Sequence, residues 1–142
     1  MKRLGIVLVV ATLLVGIGSL IRTAPAAESG ATATTVRVRL DEFKVILAVK
    51  TARAGSVTFV VRNVGRLMHE FVVLRTKLAP SKLPVRRSRA KEIGRVGKIP
   101  PFAPDKTRRL TVKLTLGKYV LLCNLPAHYR AGQFAGFRAR QP

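Results

Sequence analysis

The chain has 142 residues and carries 27 Lys and Arg against six acidic residues, a net charge of +21. That length fits one compact domain once any targeting segment is set aside, and the single cysteine, Cys123, excludes an internal disulfide. The charge draws the chain towards anionic partners such as lipid head groups, wall polymers or an acidic protein; nucleic acid is set aside, because the export signal described next argues against it and no recognition-helix, zinc-finger or aromatic RNA-binding signature is present.

Residues 1–27 read as an export segment. Lys2 and Arg3 open it, Leu4 to Ile21 is uncharged and apolar, and Ala24-Pro25-Ala26-Ala27 supplies small residues for a signal peptidase. Cleavage and retention as a membrane anchor are both open, since eighteen apolar residues lie at the lower edge of spanning length. Either way the remainder is expected outside the cytoplasm, on a periplasmic or extracellular face. Three of the cations (Lys2, Arg3, Arg22) belong to this segment, so residues 28–142 keep 24 against all six acids, a net +18. Residues 28–34 form a small-residue linker.

From Thr35 the hydrophobic period becomes two, the period of a strand with one buried face. Strands are predicted at Thr35–Leu40, Phe43–Val49, Ser56–Arg62 and His69–Leu74, with turns at Ala54-Gly55 and Asn63-Val64-Gly65. Residues 75–109 carry five prolines and the basic run Arg86-Arg87-Ser88-Arg89, and read as a long loop with room for a short helix near Ser88–Ile93. Alternation resumes in Arg109–Leu116, followed by Tyr119–Cys123 and Phe134–Arg140. About seven short strands with closely spaced turns imply an all-β sandwich of residues 35–142.

The residues that carry chemistry are few. There are two histidines, His69 and His128, and one cysteine. Taken singly, a histidine near a strand is an ordinary structural residue, and a free cysteine is a small buried hydrophobe. Cys123 and His128, however, share one strand-to-strand loop that ends near Gln133, and His69 opens a strand able to reach the same end of a sandwich. Two imidazoles, a thiolate and a weak axial group suit copper in electron-transfer proteins.

At this point the sequence resembles a known family. Asn63-Val64-Gly65 with His69-Glu70-Phe71-Val72-Val73, Leu110–Leu116, Gly117-Lys118-Tyr119-Val120-Leu121-Leu122-Cys123, and Cys123-Asn124-Leu125-Pro126-Ala127-His128 with Gln133 resemble the cupredoxins, the blue copper proteins related to plastocyanin and azurin. The resemblance covers about residues 35–142. It implies a Greek-key β-sandwich that binds one copper ion, cycling between Cu(II) and Cu(I), through His69, Cys123 and His128. Most relatives place an axial methionine where this chain has Gln133, as in stellacyanin-like members; Met68 neighbours His69 in extended chain and should face the other way. An amide oxygen is a harder donor than a thioether, so Gln133 favours Cu(II) and a lower reduction potential. Asn124 and Glu70 are expected around the site without binding the ion, Asn124 near the sulfur.

The resemblance implies a carrier of single electrons between redox partners; the charge points to an acidic partner, and the chain is expected to be a monomer that is not an enzyme. With both histidines engaged, no general base or second metal site is left for catalysis. Two rivals are an exported copper carrier that passes no electrons and a metal-free basic interaction module. Only Met68 remains after the export segment, which counts against a methionine-rich carrier.

Overall fold

The computed structural model describes residues 33–141, so the export segment and residues 28–32 of the linker lie outside the described residues. Eleven strands run in chain order: β1 Thr34–Asp41, β2 Lys44–Leu47, β3 Thr51–Arg53, β4 Gly55–Asn63, β5 His69–Arg75, β6 Val85–Arg86, β7 Arg89–Ala90, β8 Arg95–Phe102, β9 Thr107–Leu114, β10 Gly117–Leu122 and β11 Phe134–Arg140. One sheet has the order β2-β1-β4-β9, the other β3-β11-β10-β5-β8, and β6 and β7 form a separate hairpin. The chain passes repeatedly between the two sheets, as a Greek-key sandwich requires. No helix among the described residues is long and apolar enough to cross a membrane.

Alternation places the core. In β1, Val36, Val38 and Leu40 are fully or almost fully buried while Arg37 and Arg39 face out. They meet Phe59 and Val61 of β4 and, across the sandwich, Phe71, Val73, Leu121 and Phe137. Phe59 packs on Phe71 and Phe137 with centroids 5.4 and 5.5 Å apart.

Strand β5 does not alternate: its first six residues are all buried. The reason is a second layer. Residues 80–90 cross the outer face of the sheet, and Leu83, Ala90 and Tyr129 cover Val72, Leu74, Val120 and Leu122. A strand covered on both faces reads as a continuous apolar run.

The span predicted as a long loop therefore holds more structure than expected. It contains a single 3-10 turn (Pro80–Lys82), the β6–β7 hairpin and the edge strand β8; there is no helix at Ser88–Ile93. Pro100 and Pro101 obscure β8 in the sequence, and an edge strand tolerates them because one side of its backbone needs no partner. The register between β5 and β8 slips at His69/Phe71 and at Val73/Leu74. Short β3 was also missed, and β2 is shorter than predicted.

Candidate metal centre

His69 opens β5, paired with Phe102 of β8, and is wholly buried. Its position depends on the preceding turn. The Asn63 side chain accepts from Gly65 N (3.0 Å) and donates to Leu67 O (2.8 Å) and Phe102 O (3.2 Å). The Glu42 carboxylate accepts from the backbone N–H of Arg66 and of Leu67, each at 2.9 Å. A Cβ at Gly65 would collide with that carboxylate and displace it from the turn.

Cys123 follows β10, and its backbone N–H donates to Gln133 O at 3.1 Å, closing the loop of residues 124–132. Within it His128 N, Ala131 N, Gly132 N and Gln133 N bond to carbonyls three to five residues back, and Gly132 takes a φ of +105° that suits glycine. The loop is also tied to the covering layer by Ala127 N to Ser88 O at 2.9 Å.

These elements bring the three donors together: His69, Cys123 and His128 offer ligand atoms that all lie within 4.8 Å of one another. Cys123 Sγ is 3.8 Å from His69 Nδ1 and 3.4 Å from His128 Nδ1. Such separations fit a sulfur and a nitrogen sharing one first-row ion at roughly 2.3 and 2.0 Å. Gln133 is buried beside them. Its Nε2 donates to Asp41 O (2.7 Å), which leaves Oε1 facing His128 Nδ1 at 3.0 Å. His128 is partly exposed, its ring edge-on to Phe43 at 5.1 Å and 5.3 Å from the His69 ring. Met68 is exposed, whereas His69 is wholly buried.

The electrostatics favour a neutral imidazole at His69 and a protonated thiol at Cys123 in the metal-free chain. Burial pushes the His69 imidazole below its usual range, with the Glu42 carboxylate pulling partly the other way. The ring is therefore neutral, with Nε2–H donating to Glu42 Oε1 at 3.0 Å and Nδ1, the nitrogen that faces the other donors, accepting from Gln133 Nε2 at 3.1 Å. The Leu67 N–H, helped by Arg66 and His69, holds Glu42 below the usual carboxylate range. Burial raises the Cys123 thiol, partly offset by the backbone N–H of Glu70 donating to Sγ at 3.4 Å.

One of the two residues expected around the site acts differently from its sequence reading. Asn124 does not reach the sulfur. Its side chain accepts from Ala90 N (2.8 Å) and donates to Ala90 O (2.9 Å) and Glu92 Oε1 (3.0 Å), pinning the covering layer to the ligand loop. Glu70 meets the sulfur through its backbone, while its carboxylate pairs with Lys98 at 3.1 Å. Glu42 was missed altogether. Its acidic type carried no signal, since only the fold brings residue 42 to residue 69.

No family model and no curated protein matches the chain. Solved structures do. A dithionite-reduced auracyanin from Roseiflexus castenholzii superposes with a TM-score of 0.59 at 19% identity, over 76% of this chain and 98% of that one. Rusticyanin from Thiobacillus ferrooxidans gives 0.59 at 17% identity, covering 77% and 79%. Auracyanin A from Chloroflexus aurantiacus, described as a "blue" copper protein, gives 0.56 at 16% identity, covering 76% and 99%. The chain thus has the cupredoxin fold, with two histidines and a cysteine gathered at one end of the sandwich in a group able to hold a metal ion.

Proposed function

We propose that the chain is an exported blue copper protein that carries single electrons. The observation that carries this reading is the meeting of Cys123 Sγ with Nδ1 of both histidines, beside the Gln133 amide oxygen. A thiolate and two imidazoles with a weak axial oxygen form the donor set of electron-transfer copper. His69, Cys123 and His128 would hold the ion, with the Gln133 amide oxygen as a weaker donor beside them; bound copper would supply a one-electron couple between Cu(II) and Cu(I).

The chain's own residues do the rest. Glu42 and Asn63 fix His69 from behind, and the loop hydrogen bonds fix His128, so both rings keep their places through a change of charge. Burial of His69, Cys123 and Gln133 keeps bulk water from the donors. His128 reaches the surface beside Phe43, Pro126 and Ala127, the shortest way out for an electron. An acidic redox partner suits the net charge, and export suits a lone thiol beside an apolar leader.

Addition of Cu(II) to the purified chain tests the proposal. An intense visible sulfur-to-copper band, absent in Cys123→Ser, is expected. Colourless binding would instead assign a copper carrier, and no binding a metal-free module.

A further inference from the structure

The acidic side chains of this domain gather towards one end of its long axis, where cations such as Arg62, Lys106 and Arg108 stand among them; the other end carries cations alone. All five acidic residues of the described chain belong to the metal end or its surroundings. Asp41 and Glu42 adjoin Gln133 and His69, and Glu70 follows His69. Glu92 bonds Asn124, next to Cys123, and Asp105 N bonds Asn63 O. The opposite end is cationic. Strand β5 starts at the metal end and finishes at Arg75; β10 starts opposite it, at Gly117-Lys118; β11 finishes at Arg138–Arg140, beside β3. Lys50, Arg75, Lys77, Lys118, Arg138 and Arg140 are exposed there, and none pairs with a carboxylate among the described residues.

Two apolar residues stand among these cations. Leu78 and Leu116 are each 47% exposed. A shallow groove lined by Lys50, Thr51, Lys77, Leu78, Lys118 and Arg138 adjoins a second one formed by Arg75, Lys77, Leu116 and Lys118. Exposed leucines ringed by lysine and arginine match the boundary of an anionic bilayer, where apolar groups enter and cations meet phosphates.

The path of the chain points to the same surface. Strand β1 runs parallel to β4, with Thr34 opposite Val57 and Leu40 opposite Asn63. Thr34 therefore lies at the cationic end, roughly 23 Å of strand away from Asp41 at the metal end. The apolar run Leu4–Ile21 is joined to Thr34 by twelve residues, which span about 40 Å at most. A bilayer holding that run is within reach of the cationic end.

We infer that the metal-distal end, centred on Lys77, Leu78, Leu116, Lys118 and Arg138, docks on the anionic phospholipid surface of a membrane and turns the His69–Cys123–His128 end outward. Charge placement and strand direction point to this docking whatever metal the site takes.

The test is binding of the full chain to phosphatidylcholine vesicles with and without phosphatidylglycerol, across a salt series. Lys77→Gln/Lys118→Gln/Arg138→Gln is compared with Lys106→Gln/Arg108→Gln/Arg109→Gln, which removes the same charge near the metal end. With each cation worth about fivefold at an anionic surface, the distal triple variant should lose roughly a hundredfold on phosphatidylglycerol vesicles and the control only a few-fold. Equal losses in the two variants would overturn the inference, as would a wild-type affinity indifferent to phosphatidylglycerol. The latter result, with an acidic protein binding the wild type but not the distal variant, would assign the surface to that protein instead.

Discussion

Glu42 Oε1 lies 3.0 Å from Nε2 of His69, on the side of the ring away from Cys123. The same carboxylate accepts the backbone N–H of Arg66 and Leu67, so one residue positions the ring and the turn that delivers it. A carboxylate behind a ligating imidazole fixes the tautomer and raises ring basicity.

Glu42→Gln keeps the shape and removes the charge. Copper affinity should fall about 10- to 100-fold, and the potential should rise by the order of tens of millivolts, because a nearby negative charge favours Cu(II). Gly65→Ala should act in the same direction by driving its Cβ into the carboxylate. Copper competition titrations and voltammetry check both variants; unchanged values would remove Glu42 from the account.

Gln133 places Oε1 on the site because Asp41 O holds its Nε2 at 2.7 Å. Gln133→Met replaces a hard oxygen by a soft thioether and should raise the potential. Voltammetry giving a wild-type potential at or above that of the variant would refute an axial role for Gln133.

Copper uptake should strengthen with pH. The Cys123 thiol is raised by burial and is protonated near neutrality in the metal-free chain, so each ion bound as a thiolate complex releases one proton. Affinity should increase about tenfold per pH unit from this group alone while the pH stays below the thiol's pKa. Proton release measured by calorimetry in buffers of different ionisation heat checks it; Cys123→Ser should abolish the release.

The metal-free fold should weaken in acid. His69 is depressed from its ordinary 6.5 by burial, and Glu42 from 4.5 chiefly by the Leu67 N–H. Both therefore bind more protons unfolded than folded. The His69 contribution is complete above about 6.5 and is lost as pH falls through its lower folded value; the Glu42 contribution is complete above about 4.5 and is lost below it. Urea midpoints of the metal-free chain should drop between pH 7 and pH 4, and less steeply in His69→Gln.

Asn124→Ala separates packing from metal tuning. It leaves Ala90 N and O without their side-chain partners and should cost about 2 kcal/mol. The copper band should hardly move, because the N–H groups on the sulfur are backbone groups of Glu70 and Leu125, not the Asn124 side chain. A large spectral shift in a variant of near-normal stability would contradict this division.

The strands with one buried face were legible in the sequence because alternation reports burial directly: Val36, Val38 and Leu40 face the core as read. The metal group was legible for a different reason. Cys123 and His128 sit in one loop whose closure is local, and only two histidines exist to choose from. Strand β8 was hidden by Pro100 and Pro101, and by an edge position that only the finished sheet defines. The covering layer was hidden because Leu83, Ala90 and Tyr129 are spaced too far apart to show any period. Glu42 and Glu70 N were invisible, since their roles arise from contacts across 27 and 53 residues of chain.

The function proposed here depends on one copper ion held by His69, Cys123 and His128. X-ray absorption at the copper edge, on the chain loaded with one equivalent of Cu(II), reads those ligands themselves. The account expects one sulfur and two imidazole nitrogens around a single ion, with the sulfur lost in Cys123→Ser. A copper surrounded by nitrogen and oxygen alone in the wild-type chain would contradict it.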